Sequence, residues 1–382
     1  MLQELILNNF KCFENLHIDF STVNILTGLN GMGKSTVMQS ILLLAQSKKS
    51  ISSEEVLSIK GKYVDLGTGQ DILFEKAEKD EIGIEIRTEN EEERFLFEYQ
   101  PEADELPLRK ISSELGASKI SGWADRLFYL SAYRIEPQFL YHIENEKDIS
   151  ERHFGKNGEY AIQYLKLHGG DDVANQEVVI GDRNKTTVAD QVRAWLDIIS
   201  PGVSPMIHID MSSRTAELKY EYIEGRDKTN SYKSVNVGFG ITYVLPIIVA
   251  LVSAKQGDIL LLENPEAHIH PRGQRMLGEL IAAAGSGGVQ VIAETHSDHV
   301  LNGIRVAVKK NKLNPEETGF FFFYKDVDDS YRHKVACPKL DENGRLDKWP
   351  EGFFDEWDNA LLEFSVSICH KRTCGTIYAP IP

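Results

Sequence analysis

Apolar and polar positions along the chain fall into three regimes. Near the start, Leu2 to Asn8 and Leu16 to Phe20 have strand character, and Thr22 to Thr27 read as a short buried strand. A helix from Lys34 to about Gln46 follows, with the apolar run Ile41-Leu42-Leu43-Leu44. From about 50 to 130 the segments shorten. Tyr63 to Gly67, Glu81 to Ile86 and Arg94 to Tyr99 partly alternate, and Ile82, Ile84 and Ile86 share one face. These predict antiparallel strands joined by polar turns, and Leu127 to Ser131 predicts a buried strand. Between 145 and 232 the pattern is least regular. One helix carries Val192, Trp195, Leu196 and Ile199 and stops at Pro201-Gly202, and Met206 to Met211 with Ala216 to Ile223 predict a strand pair.

Regular order returns after 234. Helices are predicted from Gly240 to about Ala254, from Pro271 to Ala284 (closed by Gly285), and after a Ser297 cap with Val300, Leu301, Ile304 and Val308. Between them lie strands Asp258 to Leu262, Val289 to Glu294 and Gly319 to Tyr324. Strands this apolar, alternating with helices, predict a parallel sheet covered on both faces. The predicted fold class is α/β. Residues 1–46 and 234–325 form a core with a mostly parallel sheet, 47–144 an antiparallel β-rich lobe, 145–233 an α/β insert and 326–382 a short extension. No sustained heptad appears, which excludes a long coiled-coil arm.

Charge and cysteine usage narrow the function classes. The chain of 382 residues carries a net charge of −16, which gives no support to broad phosphate-backbone binding. Cys12, Cys337, Cys369 and Cys374 are too few and scattered for a disulfide framework, so a reducing cytoplasm is expected. Cys369-His370 with Cys374 lacks the second pair of a zinc clip. The first residues lack a basic-then-apolar leader, and Val244 to Val252 is too short to span a bilayer, so no membrane association is expected.

The chemistry concentrates in Gly28-Leu29-Asn30-Gly31-Met32-Gly33-Lys34-Ser35-Thr36, which fits the phosphate-loop pattern G-x-x-x-x-G-K-[ST] between a strand and a helix. Glycines let the backbone approach a ligand, and N–H groups at the helix start point at phosphate oxygens. Asn30, Gly31, Gly33, Lys34, Ser35 and Thr36 are therefore candidate nucleotide-binding residues. Lys34 can reach the β- and γ-phosphates, and Ser35 can place its hydroxyl on Mg²⁺. ATP and Mg²⁺ are the expected cofactors. A second constellation, Asp258 to Pro271, is an apolar strand ending in Glu263-Asn264-Pro265-Glu266-Ala267-His268-Ile269-His270. A carboxylate at such a strand end needs a cation or donor, which makes Glu263 the metal-side candidate.

These motifs resemble those of the ABC-type ATPase heads of the overcoming-lysogenization-defect (OLD), RecF and SMC group. Leu7-Asn8-Asn9-Phe10-Lys11-Cys12-Phe13 resembles the group's opening NFK-x-F element, and the phosphate loop has its G-x-N-G-x-G-K-S-T form. Pro265 to Pro271 resembles the P-E-x-H-L-H-P segment of OLD-like ATPases, and Thr295-His296-Ser297 their switch-histidine motif. Within the group the chain is most similar to predicted ATPases with a short C-terminal extension, which Trp349 to Asp355 resembles. The resemblance adds Asn9 and Lys11 to the nucleotide site. It places Ser234 to Gly240 at the signature motif, with Asn236, Gly238 and Gly240 addressing the γ-phosphate of a partner subunit. Two ATP molecules sandwiched in a homodimer follow.

Asn264 stands where the group has its catalytic Glu. An amide cannot accept a proton from water, so either Glu266 substitutes or ATP acts mainly as a switch with slow turnover. His296 is a candidate for contacting the γ-phosphate or positioning water. Gln70 and Gln138 are both candidates for a metal-side glutamine. Asp326 to Asp329 leaves too little chain for a Toprim nuclease. The resemblance implies an ATPase switch controlling a separately encoded effector, in defence against phages or plasmids. The alternatives are a RecF-like ATPase that binds nucleic acid directly, and a transporter's energising subunit.

Overall fold

Six strands make the central sheet of the computed structural model, in the order His333–Ala336, Thr318–Lys325, Val23–Gly28, Gln290–Glu294, Ile259–Glu263, Leu127–Leu130. All adjacent pairs are parallel except the His333–Ala336 edge. The structure describes residues 1–113, 120, 122–144, 154–224, 227–325, 332–355 and 360–363. The polar segment from Asp326 to Asp329 and the cysteines Cys369 and Cys374 lie outside the described residues.

Strand periodicity divides the interior in two. Ile259, Leu261 and Ile292 face one side of the central sheet, with the helix Lys34–Gln46 and an antiparallel sheet beyond it. Leu260, Leu262, Val291 and Ala293 face the other, under the helices Phe239–Ser253, Pro271–Ser286 and Asp298–Lys309. Burial on both faces accounts for the unbroken apolar runs of these strands. Each fully buried Leu or Ile contributes on the order of 1.5–3 kcal/mol.

The antiparallel sheet runs Phe13–Asp19, Leu2–Phe10, Glu81–Thr88, Glu92–Glu98, Glu105–Ser113, Val56–Ser58. Its first two strands come from the segment expected in the nucleotide core. Conversely, Leu127–Leu130 leaves the lobe and pairs in parallel with Ile259–Glu263. A third sheet, built on Val203–Asp210 and Thr215–Glu224, lies with helices Ala161–His168 and Val188–Ile199 in the insert.

Three local expectations are corrected. Tyr63 to Gly67 is not a strand. The side chain of Gln46 takes the Tyr63 and Val64 N–H groups and donates to the Ser58 and Val64 carbonyls, which holds the segment as a turn over the end of the phosphate-loop helix. Strands Val56–Ser58 and Glu105–Ser113 were not expected. The helix from Pro271 passes through Gly285, and its C-cap is Gly287, whose N–H donates to the Ala283 carbonyl while the Gly288 N–H donates to the Gly285 carbonyl. Trp349 and Phe353 pack ring to ring, and Phe353 is fully buried against Phe322, so the extension is part of the core.

Candidate functional site

The phosphate loop is built by backbone conformations that only glycine adopts without strain. Gly28 has φ 136° and Gly33 φ 100°. A Cβ on Gly28 would lie 2.3 Å from the Phe323 carbonyl oxygen, and one on Gly33 would meet Phe13 and Cys12. The tight approach of the loop to its neighbouring strand therefore requires Gly28. Lys34 is buried, and its Nζ donates to the carbonyls of Gly28 (2.9 Å) and Leu29 (2.8 Å). Asn30 and Gly31 are exposed at the loop tip.

Register does the rest. Glu263 pairs with Glu294 across adjacent parallel strands, and Glu294 pairs with Leu26 of the phosphate-loop strand. Two strand-end carboxylates therefore sit side by side at the carboxyl edge of the sheet, where ligands bind in open α/β folds. Glu294 Oε2 accepts the Ser35 hydroxyl at 2.9 Å, and Oε1 is 3.9 Å from Lys34 Nζ. Burial pushes the Glu294 carboxyl above its usual value, with Glu263 and Glu266 adding to the rise and Ser35 and Lys34 opposing it. Burial likewise pulls the Lys34 ammonium down, opposed by Glu294. For both partners desolvation outweighs the attraction between them.

Glu263 accepts the Ala132 N–H through Oε2 at 3.0 Å and lies against Tyr129, whose phenol is pushed up by burial and then by this carboxylate. The backbone at Glu263 and Asn264 is clamped by Arg134, whose guanidinium donates to the Glu263 carbonyl at 2.7 Å and the Asn264 carbonyl at 2.5 Å. Arg134 also lies over the Tyr243 ring, 4.5 Å from its centroid. Asn264 adopts a left-handed conformation, φ 43°, and its Oδ1 is buried without a hydrogen-bond partner. Glu266 is buried. Its Oε1 accepts the His296 N–H at 2.9 Å, while Oε2 has no partner. The His296 side chain is exposed, and burial of part of the ring and the Lys34 charge hold its imidazole below the usual value against Glu266.

Lys34, Ser35, Glu263, Glu266, Glu294 and His296 thus meet at one sheet edge. The other expected residues lie at greater or lesser remove. The Thr36 hydroxyl faces Cys12 Sγ at 3.7 Å. Lys11 is anchored on the phosphate-loop helix through Gln39 Oε1 at 2.8 Å, whereas Asn9 donates to the Glu81 carbonyl on the antiparallel sheet. Gln70 is exposed on the short helix Gly69–Ile72, whose Ile72 carbonyl accepts the Lys11 N–H. Gln138 lies beside the Ser234 to Gly240 segment, where its carbonyl accepts the Ser234 hydroxyl. Asn236 and Gly238 are exposed ahead of the helix Phe239–Ser253. Gly240 fits under the loop after Glu266, since a Cβ there would lie 2.0 Å from the His268 carbonyl oxygen. His268 packs between the rings of Phe239 and Tyr243.

The donor set suits a triphosphate with a hard cation. Glu294 faces the Lys34 ammonium with Glu263 and Glu266 close to it, the Glu266 Oε2 orphan needs a partner, and the positive-φ glycines open a cradle of N–H groups. Glu294 and Arg134 were not anticipated from sequence. The only available sign was an acid at a strand end, and Arg134 carried none.

A phosphate loop on a parallel sheet, flanked by strand-end acids and covered by an antiparallel sheet, is the fold of ABC/SMC-type P-loop ATPase heads. A solved structure agrees at the level of fold. An SMC head bound to the C-winged helix domain of ScpA superposes with a TM-score of 0.52 at 14% identity, covering 89% of this chain and 98% of that one. An Smc head with an extended coiled coil, bound to the C-terminal domain of ScpA derived from Pyrococcus furiosus, gives 0.49 at 14%, covering 95% and 99%. The chain belongs to the family described as "AAA domain, putative AbiEii toxin, Type IV TA system", whose model matches residues 23–302. A second model, described as a protein of unknown function (DUF3696), matches residues 313–364 and includes the Trp349 to Asp355 extension. No curated protein matches the chain. Among the described residues, no helix is long and apolar enough to cross a membrane.

Proposed function

We propose that this chain binds Mg²⁺ and ATP at the Lys34–Glu263–Glu294 edge and hydrolyses it slowly, as an ATP-dependent dimeric switch. The carrying observation is the register that sets Glu263 beside Glu294 and Glu294 beside the phosphate-loop strand. Lys34 exchanges its two loop carbonyls for phosphate oxygens, and Ser35 and Glu263 hold the cation. Mg²⁺, when bound, neutralises charge on the β- and γ-phosphates. Glu266 is the general base. It is buried, one oxygen is fixed by the His296 N–H, and the other is unengaged. Asn264 holds backbone geometry and takes no proton.

The exposed Asn236 to Gly240 segment presents its helix start to the ATP of a second copy, which closes the dimer. The OLD-like motifs and a family description that names a toxin and a TA system favour a cytoplasmic defence role with a separately encoded effector. The test is light scattering of Glu266→Gln with Mg²⁺ and either ATP or ADP. ATP should give a dimer and ADP a monomer, with turnover reduced on the order of 10²-fold or more. A monomer under both nucleotides refutes the switch, and undiminished turnover refutes the base.

A further inference from the structure

Away from the phosphate loop, one cleft departs from the acidic character of the chain. It has a volume of about 540 Å³ and lies between the end of the phosphate-loop helix, the turn at Lys62-Tyr63, the strand Leu127–Leu130 and the turn at Lys156. Four lysines and one aspartate line it, in a protein of net charge −16. Lys48 pairs with Asp125 at 2.6 Å. Lys49, Lys62 and Lys156 are exposed around the opening. Its walls include the half-buried rings of Tyr63 and Phe128, and Lys62 Nζ lies 4.3 Å from the Tyr63 ring centroid.

These features answer two demands at once. Phosphates need converging cations, and a nucleobase needs an aromatic platform. The volume falls within the range of small-ligand pockets, which run about 300–1,000 Å³. The turn that carries Lys62 and Tyr63 is fixed by three hydrogen bonds to Gln46, which also donates to the Ser58 carbonyl, so the wall is preorganised. The Lys156 carbonyl accepts the Ser131 N–H at 2.8 Å, which fixes the opposite wall.

We propose that this cleft binds a nucleotidyl group, its base against Tyr63 and Phe128 and its phosphates at Lys49, Lys62 and Lys156, separately from the ATP site. The group has two possible sources, a free nucleotide or the end of a single-stranded nucleic acid.

The test is fluorescence anisotropy with a 5′-phosphorylated, 3′-fluorescein thymidine hexamer on the full chain carrying Lys34→Ala, which silences the phosphate loop. Binding should weaken with salt at a log–log slope of about −2, as expected for three phosphates on a single strand. Lys62→Glu with Lys156→Glu should weaken it at least tenfold, and Tyr63→Leu about tenfold. Thermal unfolding of each variant checks that the fold persists. The lysines are exposed, so their exchange keeps the test decisive where Tyr63→Leu unfolds the chain. Displacement of the hexamer by unlabelled AMP identifies a free nucleotide as the source, and retention identifies a nucleic-acid end. Absence of binding by both hexamer and AMP, or affinity unchanged by charge reversal, overturns the proposal.

Discussion

Glu294→Gln is the sharpest probe of the electrostatics at the sheet edge. The substitution keeps an oxygen for the Ser35 hydroxyl and removes the charge 3.9 Å from Lys34 Nζ. At that distance the gross attraction is about 4 kcal/mol for an effective dielectric of 20, while desolvation costs several kcal/mol per ion. The direction of the Glu294 shift decides the balance. Its carboxyl is raised by burial with Lys34 already opposing the rise, so the charged form is net unfavourable in the fold.

The sign follows from linkage. Between the ordinary glutamate range and the raised value, the folded state holds more protons than the unfolded state, so stability falls as pH rises through that window. Gln does not titrate. In metal- and nucleotide-free buffer, Glu294→Gln should therefore gain on the parent as pH rises, by on the order of 1 kcal/mol once the window is passed. Denaturant unfolding at several pH values from 5 to 8 reads this directly. A variant less stable than the parent at pH 8, or a difference that does not move with pH, refutes the balance drawn here. Affinity for ATP without Mg²⁺ should also tighten about tenfold, because one negative charge leaves the cradle (about 1.4 kcal/mol).

Three further outcomes separate the roles at the site. Lys34→Ala should abolish ATP binding and ATP-dependent dimerisation by isothermal titration and light scattering; unchanged affinity would remove the phosphate loop from the site. Glu263→Gln should raise the Mg²⁺ concentration needed for ATP binding far more than Glu266→Gln does, on the order of tenfold or more, and the reverse order would exchange their assignments. Gly240→Ala places a methyl 2.0 Å from the His268 carbonyl oxygen, so it should displace the start of the signature helix. Monomer ATP affinity should persist while the ATP dimer is lost, and a dimer of parental stability would exclude this helix from the interface.

The legible part of the site was local. The phosphate loop and the acidic strand end are contiguous motifs whose residue types state their chemistry, and Ser297 caps its helix through Oγ as its position predicts. The illegible part was long-range. Leu127–Leu130 reads as a buried strand, but nothing in four apolar residues says that its partner is Ile259–Glu263. Tyr63 to Gly67 carries the alternation of a strand, and Gln46, a side chain on a helix, outcompetes the ladder for its backbone groups. Glu294 gains meaning only through its register with Glu263 and Leu26. Arg134 stabilises carbonyls 129 and 130 positions away, which no spacing rule reveals.

The central sheet also dictates when the cradle can form. Its phosphate-loop strand is flanked by Gln290–Glu294 and Thr318–Lys325, and the Asn24 side chain donates to the Val291 carbonyl 267 positions onward. Contacts of such sequence separation close late, because loop entropy opposes them until both partners exist. On a ribosome, the phosphate-loop strand emerges long before Gln290–Glu294 and Thr318–Lys325 and waits, with its apolar surface uncovered, until both have been made. A product truncated before Gln290 therefore carries the phosphate-loop motif without its neighbouring strands and should bind no nucleotide.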